Sequence, residues 1–287
     1  MFDDIETEQD EHAEIAIIDA DSIIHAISYV QKSPALCKKD MDSAIQKIMT
    51  DTGATTGIVY IKGKDNFRYL VDKEYKGHRV DKTPPEVKER IDMLYDYAQD
   101  FAMDSDNGEA DDYATITAKM ARDEGKTYIV SHIDKDLNCI PGWHHNFNTG
   151  SIYYKSREEG YMWIMHQILT GDATDNIKGL AKVGPITASK ILAGVQLRDA
   201  WGVVIDEWKS RQGNEWKDNF IKCANNIYLR EESFDLRPLT FEELKDRLSW
   251  KTTDTGLLLP TDQQEHMDLS TQSLDQQVAS TLVESNS

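Results

Sequence analysis

Three short apolar segments, separated by helix-forming stretches, constrain the fold of this chain more than any other feature of its sequence. Residues 15–18, 57–61 and 127–131 each have the length and composition of a buried strand. Helical patterns cover much of the chain between them, at 22–30, 41–49, 84–103 and 110–122. Because strands that alternate with helices usually pair in parallel, this order predicts an α/β fold with a twisted, mainly parallel sheet flanked by helices.

The second half of the chain is helical, and the two ends differ in composition from the middle, which gives the expected domain boundaries. From residue 160 the pattern is helical, with candidates at 161–169, 187–192, 197–209, 215–229 and 241–248. Residues 1–14 hold seven Asp or Glu and no Lys or Arg, and residues 252–287 are rich in Ser, Thr and Gln. We therefore predict a folded domain at 15–250 between an acidic disordered tail at 1–14 and an acidic, polar disordered tail at 251–287.

The net charge of -19 does not exclude a polyanionic partner, because much of it lies in the two tails. Three widely spaced cysteines make a disulfide framework improbable and favour a reducing cytoplasm. The acidic N-terminus is unlike a targeting segment. No apolar run approaches the roughly 20 residues of a membrane span, so we expect a cytoplasmic protein with no membrane partner.

Closely spaced carboxylates follow the predicted strands or begin the predicted helices. Ligands of parallel α/β sheets gather at the carboxyl ends of the strands, so several of these clusters should converge. Like charges held together need a counter-charge, which Mg²⁺ or Mn²⁺ supplies, and two such ions about 3.5–4 Å apart can act on a phosphodiester. The alternative is that each pair only caps a helix. The clusters are Asp19 and Asp21; Glu109, Asp111 and Asp112; Asp134 and Asp136; Asp172 and Asp175.

Two basic segments are candidates for contacts with phosphate. The loop around Tyr75, Lys76, Arg79 and Lys82 combines cations with an aromatic ring that could stack on a base, although an ordinary solvated loop would look similar. Residues 179–188 contain two glycines and a proline, which favour a tight hairpin that opens a helix. The backbone N–H groups of such a helix can face a phosphate, but a simple turn between core helices is the alternative.

Five segments together resemble the 5′ nucleases, a family that includes flap endonucleases, the 5′–3′ exonuclease domain of bacterial DNA polymerase I and tailed-phage exonucleases. The resemblance covers roughly residues 15–230 and looks most like a phage enzyme, since no polymerase domain is present. It rests on Ile17-Ile18-Asp19, Tyr75-Lys76-Gly77-His78-Arg79, Glu109-Ala110-Asp111-Asp112, Ser131-His132-Ile133-Asp134-Lys135-Asp136 and Gly171-Asp172-Ala173-Thr174-Asp175-Asn176-Ile177-Lys178-Gly179.

The resemblance implies a fold and a set of site residues. The fold would be a PIN-like 5′-nuclease core with a helix-hairpin-helix subdomain at about 170–230, where a K⁺ ion can bind. Lys76 and Arg79 would stabilise charge at the scissile phosphate, and Tyr75 would stack on a terminal base. The implied metal ligands are Asp19, Glu109, Asp111, Asp112, Asp134, Asp136, Asp172 and Asp175; the implied DNA contacts are Tyr75, Lys82, Lys178, Gly179, Lys182, Gly184, Thr187 and Lys190.

The implied activity is a divalent-metal-dependent 5′–3′ exonuclease and flap endonuclease, using two or more Mg²⁺ or Mn²⁺ ions. Its substrates would be DNA with 5′ ends, flaps or nicks, or RNA–DNA hybrids, in replication or recombination. The enzyme would be a monomer in the cytoplasm of a phage-infected bacterial cell.

Two departures from the family pattern keep other functions open. Ile61 stands where the family often has an acid at the end of the second strand, and Asp65 is the nearest acid that follows it. The segment from Ser131 to Asp134 is one residue longer than in some members. One alternative is therefore a non-catalytic, structure-specific DNA-binding protein. Another is a haloacid-dehalogenase-type phosphatase, since an Asp-x-Asp pair follows the first strand.

Overall fold

The computed structural model describes residues 13–78 and 83–251. Contacts between Cα atoms divide the chain into two compact units, Met1–Ser249 and Trp250–Ser287, and the second lies outside the described residues except for its first two. The tails predicted at 1–14 and 251–287 therefore fall almost entirely outside the described ranges and remain predictions. Within those ranges, none of the helices combines the length and the apolar character needed to cross a bilayer.

The strands described in the first unit form a six-stranded sheet and a small hairpin. The sheet order is β3-β2-β1-β4-β5-β6, with β6 antiparallel to β5 and every other pair parallel. The hairpin pairs β7 with β8. The strands are β1 (Ile15–Asp19), β2 (Thr56–Lys62), β3 (Met103–Ser105), β4 (Tyr128–Ser131), β5 (Gly142–Asn146), β6 (Ser151–Lys155), β7 (Gly171–Asp172) and β8 (Ile177–Lys178).

The helices cover both faces of the sheet and then form a separate helical layer. Short 3₁₀ turns lie at Lys135–Cys139, Gly213–Glu215 and Ser233–Asp235. The helices are α1 (Asp21–Ser28), α2 (Pro34–Thr52), α3 (Arg68–Val71), α4 (Pro85–Ala98), α5 (Ala110–Asp123), α6 (Arg157–Thr170), α7 (Pro185–Leu192), α8 (Leu197–Gln212), α9 (Trp216–Ile227) and α10 (Phe241–Leu248).

Alternation along β1 divides the core between the two faces of the sheet. Ile18 packs with α1, α2 and α4, whereas Ile17 packs on the other side with the alanines of α5. A third cluster, which includes Trp208 and Phe220, joins α6 to α10. The predicted α/β class, with a mainly parallel sheet, flanking helices and a helical second half, is confirmed.

Several predicted boundaries were wrong, and five strands, β3 and β5 to β8, were not predicted. The helix predicted at 84–103 ends at Ala98 and gives way to the edge strand β3. The helix predicted at 41–49 begins earlier, at Pro34, because a proline at the first helical position needs no N–H partner. The β5–β6 hairpin was not predicted, since the buried residues His144 and His145 break the apolar pattern of a core strand.

A buried ion pair fixes α3 to α5. The guanidinium of Arg68, which is only 1% exposed, donates to both carboxylate oxygens of Asp112, from Nη1 at 2.6 Å and from Nη2 at 3.0 Å. Its Nε donates to the carbonyl of Asn226 in α9 at 3.1 Å, and the guanidiniums of Arg68 and Arg230 both lie over the ring of Phe67. One side chain thus joins the sheet layer to the helical layer beside the carboxyl edge of the sheet.

Replacing Arg68 by Met should lower the free energy of unfolding by about 3–5 kcal/mol, because it leaves a buried carboxylate without its counter-charge. The matched control is Arg211→Met, which removes an arginine from a more exposed pair with Glu207 on α8 and should cost about 1 kcal/mol or less. Urea unfolding of both variants measures the difference. Equal losses in the two variants would contradict a structural role for the buried pair.

Candidate functional site

The predicted acids come together because of where their elements begin and end. Asp19 is the last residue of β1, and Asp134 and Asp136 follow β4 around a 3₁₀ turn. Glu109 is the N-cap of α5, whose first turn holds Asp111. These five acids, with Asp21, Asp65, Asp172 and Asp175, line one open groove with a volume of about 820 Å³. The predicted convergence of acids at the carboxyl edge of the sheet is therefore observed.

The two acids of the hairpin depend on a close contact between glycines. Gly171 has a φ of +68°, and a Cβ on it would lie 2.3 Å from the backbone nitrogen of Gly179. A Cβ on Gly179 would in turn lie 2.2 Å from the carbonyl carbon of Thr170. Only glycines allow this approach, which fixes the loop carrying Asp172 and Asp175 against the end of α6. Gly179, predicted as a DNA contact, thus has a packing role in the structure.

Asp112 does not line the groove, and its predicted role as a metal ligand must be corrected. Besides the two bonds from Arg68, its carboxylate accepts the backbone N–H groups of Glu109 and Arg230, each at 3.0 Å. A carboxylate has about four lone-pair positions, and these four donors use them. Arg68 outweighs burial and lowers the pKa of Asp112. Asp112 therefore holds Glu109 at the start of α5 by reciprocal capping.

The acids inside the groove repel one another. Burial, with the charges of Asp21 and Asp134, raises the pKa of Asp19 to about 7. Burial and the charges of Asp19 and Asp134 raise the pKa of Asp111 well above its ordinary value. Burial and Asp134 raise the pKa of Asp136 to about 6. The groove therefore holds more negative charge than the surrounding protein compensates.

Two lysines supply part of the missing positive charge. The ammonium of Lys76 lies 2.5 Å from Glu109 and 3.6 Å from Asp175, and with Arg68 it lowers the pKa of Glu109 despite burial. The ammonium of Lys135 lies 2.7 Å from Asp172 and 3.2 Å from Asp136, and it lowers the pKa of Asp172 against the effect of burial. Each ammonium thus joins two carboxylates that come from different parts of the chain.

The residues of the groove fit hard divalent cations by their chemistry. In the described part of the chain, no three His, Cys, Asp or Glu side chains converge closely enough to enclose a metal ion as they stand. The donors are nevertheless carboxylate oxygens, which Mg²⁺ and Mn²⁺ prefer. The ammonium groups of Lys76 and Lys135 already occupy positions between carboxylates where a cation is stabilised. The residues that would hold such ions are Asp19, Glu109, Asp111, Asp134, Asp136, Asp172 and Asp175.

Tyr75 is placed differently from the prediction. Its ring is only 2% exposed, so it offers no face to a terminal base. Its hydroxyl lies 3.0 Å from a carboxylate oxygen of Glu109 and 3.0 Å from one of Asp175 and shares its single proton between them, which makes it a support for the acids. Tyr69, on α3, meets Tyr75 edge-on at 5.6 Å and is 50% exposed in the same groove. Tyr69 is therefore the accessible ring of this pair, and Tyr29, which follows α1 and is 60% exposed, lines the same groove.

The predicted helix-hairpin-helix residues lie at the surface around α7. Gly184 is the N-cap of α7 and is exposed, as are Lys178, Lys182 and Lys190. Lys182 has a φ of +63°, which produces the tight turn before the helix. Thr187 is partly buried in the first turn of α7. Arg79 and Lys82, the remaining predicted cations, lie outside the described residues.

Sequence reasoning missed three residues of this region. No motif in the sequence points to Arg68, and nothing in the pattern indicates that it is buried. Lys135 stands between Asp134 and Asp136 in the sequence, and this flanking by two acids was the only signal for its role. Tyr69 is six residues before Tyr75, and the sequence alone does not indicate which of the two rings is exposed.

Comparisons with known proteins identify related sequences and folds. No protein-family model matches the chain. DNA polymerase I of Bacillus subtilis is 31% identical over 196 residues, which cover 61% of this chain but only 22% of the polymerase. The flap endonuclease Xni of Colwellia psychrerythraea is 27% identical over 214 residues, which cover 63% of this chain and 73% of the relative. The chain thus spans about a fifth of the polymerase and most of the flap endonuclease.

A solved structure confirms the fold. T5 5′-exonuclease with bound divalent zinc ions matches 82% of this chain and 96% of its own, with a TM-score of 0.62 and 19% identity. The chain therefore shares the fold of T5 5′-exonuclease over most of its described residues.

Replacing Asp19 by Asn should stabilise the metal-free protein at pH 8 by about 1–3 kcal/mol. The pKa of Asp19 is about 7 in the folded protein, whereas an ordinary aspartate has a pKa of 3.8. Between these two pH values the folded state therefore binds more protons than the unfolded chain. The wild type therefore loses free energy of unfolding as the pH rises from 3.8, and the loss reaches its full value above pH 7, where Asp19 is ionised in the folded state. The gain of the variant should be largest at pH 8 and vanish near pH 4.

Urea unfolding in EDTA across this pH range measures the effect, with the exposed residue Asp65 replaced by Asn as the control. Excess Mg²⁺ should reverse the order, because an ion that binds the folded state stabilises the wild type more. A variant that is less stable than the wild type at pH 8 in EDTA would contradict the charge repulsion inferred for this groove.

Proposed function

We propose that the chain is a divalent-metal-dependent 5′ nuclease that hydrolyses DNA phosphodiesters near 5′ ends, flaps and nicks. The observation that carries the proposal is the groove of mutually repelling carboxylates at the carboxyl edge of a sheet with the 5′-nuclease fold. Its sequence relatives, a polymerase and a flap endonuclease, are consistent with a DNA substrate. We further propose Mg²⁺ or Mn²⁺ as the ion and RNA–DNA hybrids as a second substrate.

Divalent ions bound by these carboxylates would neutralise charge in the groove and would supply an activated water. The chain's own residues define the geometry around them. Lys76 is half-buried between Glu109 and Asp175, so its ammonium is held at the wall of the groove, where developing charge on a phosphate would be stabilised. Tyr75 keeps the same two carboxylates in place from behind. Arg79 remains a proposed partner of Lys76.

Contacts with the rest of the DNA are proposed for the surface around α7. Lys178, Lys182 and Lys190 are exposed there, and the N-terminus of α7 at Gly184 is open, since a Cβ on this glycine would meet nothing within 4 Å. Backbone N–H groups at such a terminus bind phosphate without reading the base sequence. This arrangement suits a nuclease that recognises the structure of its substrate.

A non-catalytic DNA-binding protein is the second candidate, and Ile61 favours it. Ile61 is 1% exposed in the core and replaces an acid that the resemblance would lead one to expect at this point. The two functions share the fold and the groove, so only a cleavage assay separates them.

Asp111→Asn should abolish cleavage of a 5′-labelled flap substrate in Mg²⁺ while binding in Ca²⁺ is retained or tightened. The substitution removes a candidate ligand and one negative charge, and that charge also repels phosphate. The matched control is Asp123→Asn at the other end of the same helix, which should cleave like the wild type. Binding without cleavage by the wild-type protein itself would favour the non-catalytic alternative.

Tyr69→Ala should weaken the binding of a single-stranded 5′ end about tenfold, because stacking on an aromatic ring contributes about 1–3 kcal/mol per base. Tyr69→Phe keeps the ring and should bind normally. Leu70→Ala is the control, since Leu70 is the next residue of α3 and is 78% exposed. The measurement is the fluorescence of 2-aminopurine at the 5′ terminal position, in Ca²⁺. If Tyr29→Ala shows the loss instead, the stacking ring is the one at the end of α1.

A further inference from the structure

Asp21 lies beside the end of β2, where the family resemblance predicts an acid and this chain has Ile61 instead. Ile61 belongs to β2, and its side chain is buried with the core residues below α1 and α4. The carboxylate expected at the end of this strand is therefore missing from position 61. We propose that Asp21 supplies it, and that Asp21 and Asp19 together hold one divalent ion; this inference rests on the nuclease function proposed above.

The placement of Asp21 follows from the pairing of two neighbouring strands. β1 and β2 run parallel, with Asp19 opposite Tyr60, so the residues that follow β1 lie beside the end of β2. Asp21 is the first residue of α1, and its Oδ1 accepts the backbone N–H of Lys62 at 2.9 Å. Lys62 is the last residue of β2. The carboxylate of Asp21 thus belongs to the segment that follows β1, and a hydrogen bond ties it to the last residue of β2.

A second donor orients the same carboxylate. The hydroxyl of Tyr95, a buried residue of α4, donates to Oδ1 of Asp21 at 2.9 Å. Both hydrogen bonds go to Oδ1, and a carboxylate with two oxygens can accept them and still bind a cation through Oδ2. The backbone N–H of Asp21 also donates to Oδ1 of Asp19 at 3.1 Å, which holds the two acids next to each other in the groove.

Asp65 is the other acid that could replace the missing carboxylate. It also lines the groove, but it lies in the loop between β2 and α3 and its side chain is exposed. Asp21, in contrast, is tied to β2 and to α4 by the two donors already described. A ligand gains affinity when the protein holds it in position before the ion binds, so the geometry favours Asp21.

The decisive experiment is calorimetric titration of the full chain with MnCl₂ in the absence of DNA. Asp21→Asn keeps the side-chain oxygen that accepts from Lys62 and Tyr95 and removes only the charge. It should weaken Mn²⁺ binding about tenfold or more, whereas its melting temperature without metal should equal or exceed that of the wild type. The matched control Asp65→Asn should bind Mn²⁺ within about twofold of the wild type.

Tyr95→Phe provides an independent measurement, because it leaves both acids in place and removes only the hydroxyl that orients Asp21. It should produce a smaller loss of Mn²⁺ affinity. Wild-type binding by Asp21→Asn, or a loss carried by Asp65→Asn instead, would overturn the inference. Failure of the proposed function would look different: the wild type itself would then bind Mn²⁺ no better than an Asp19→Asn, Asp111→Asn double variant.

Discussion

The repulsion between carboxylates at the carboxyl edge of the sheet is the constraint on which the rest of the structure depends. Asp19, Asp111 and Asp136 have raised pKa values because each is partly or fully buried near other acids. A fold that keeps them together loses free energy until a cation binds. Rigid supports on several sides are therefore needed, and the surrounding elements provide them: Tyr75 and Lys76 on one wall, Lys135 on the other, and the pair of glycines below the hairpin.

Asp111 and Asp112 have different roles because they are successive residues of a helix. Asp111 and Asp112 are neighbours in the sequence, but successive helical residues point about 100° apart. Asp111 consequently lines the groove, whereas Asp112 points toward Arg68 and the end of α9. One acid is available to a metal ion and the other is part of the protein's own framework. A pattern of acids alone gives both residues the same interpretation.

The sequence therefore predicted where the site would form better than how each residue would act in it. β1, β2 and β4 were predictable because they are apolar and short, and their order placed Asp19 and Asp134 at one edge. Burial could not be predicted for Tyr75, since a tyrosine in a basic loop has the same pattern whether its ring is exposed or packed. Nor could the role of Arg68, whose partner Asp112 is 44 residues away. The β5–β6 hairpin was missed because its buried histidines do not resemble a core strand.

The bonds that complete the groove also determine when it can exist during synthesis of the chain. Arg68 reaches a carbonyl 158 residues further along, and the N–H of Arg230 closes the set of donors around Asp112 from 118 residues away. Contacts of such high sequence separation form late, since the intervening chain must first be ordered. On a ribosome the set of donors around Asp112 is incomplete until Arg230, which follows α9, has emerged. A nascent chain would therefore contain every acid of the groove before Arg230, the last donor to Asp112, has been synthesised.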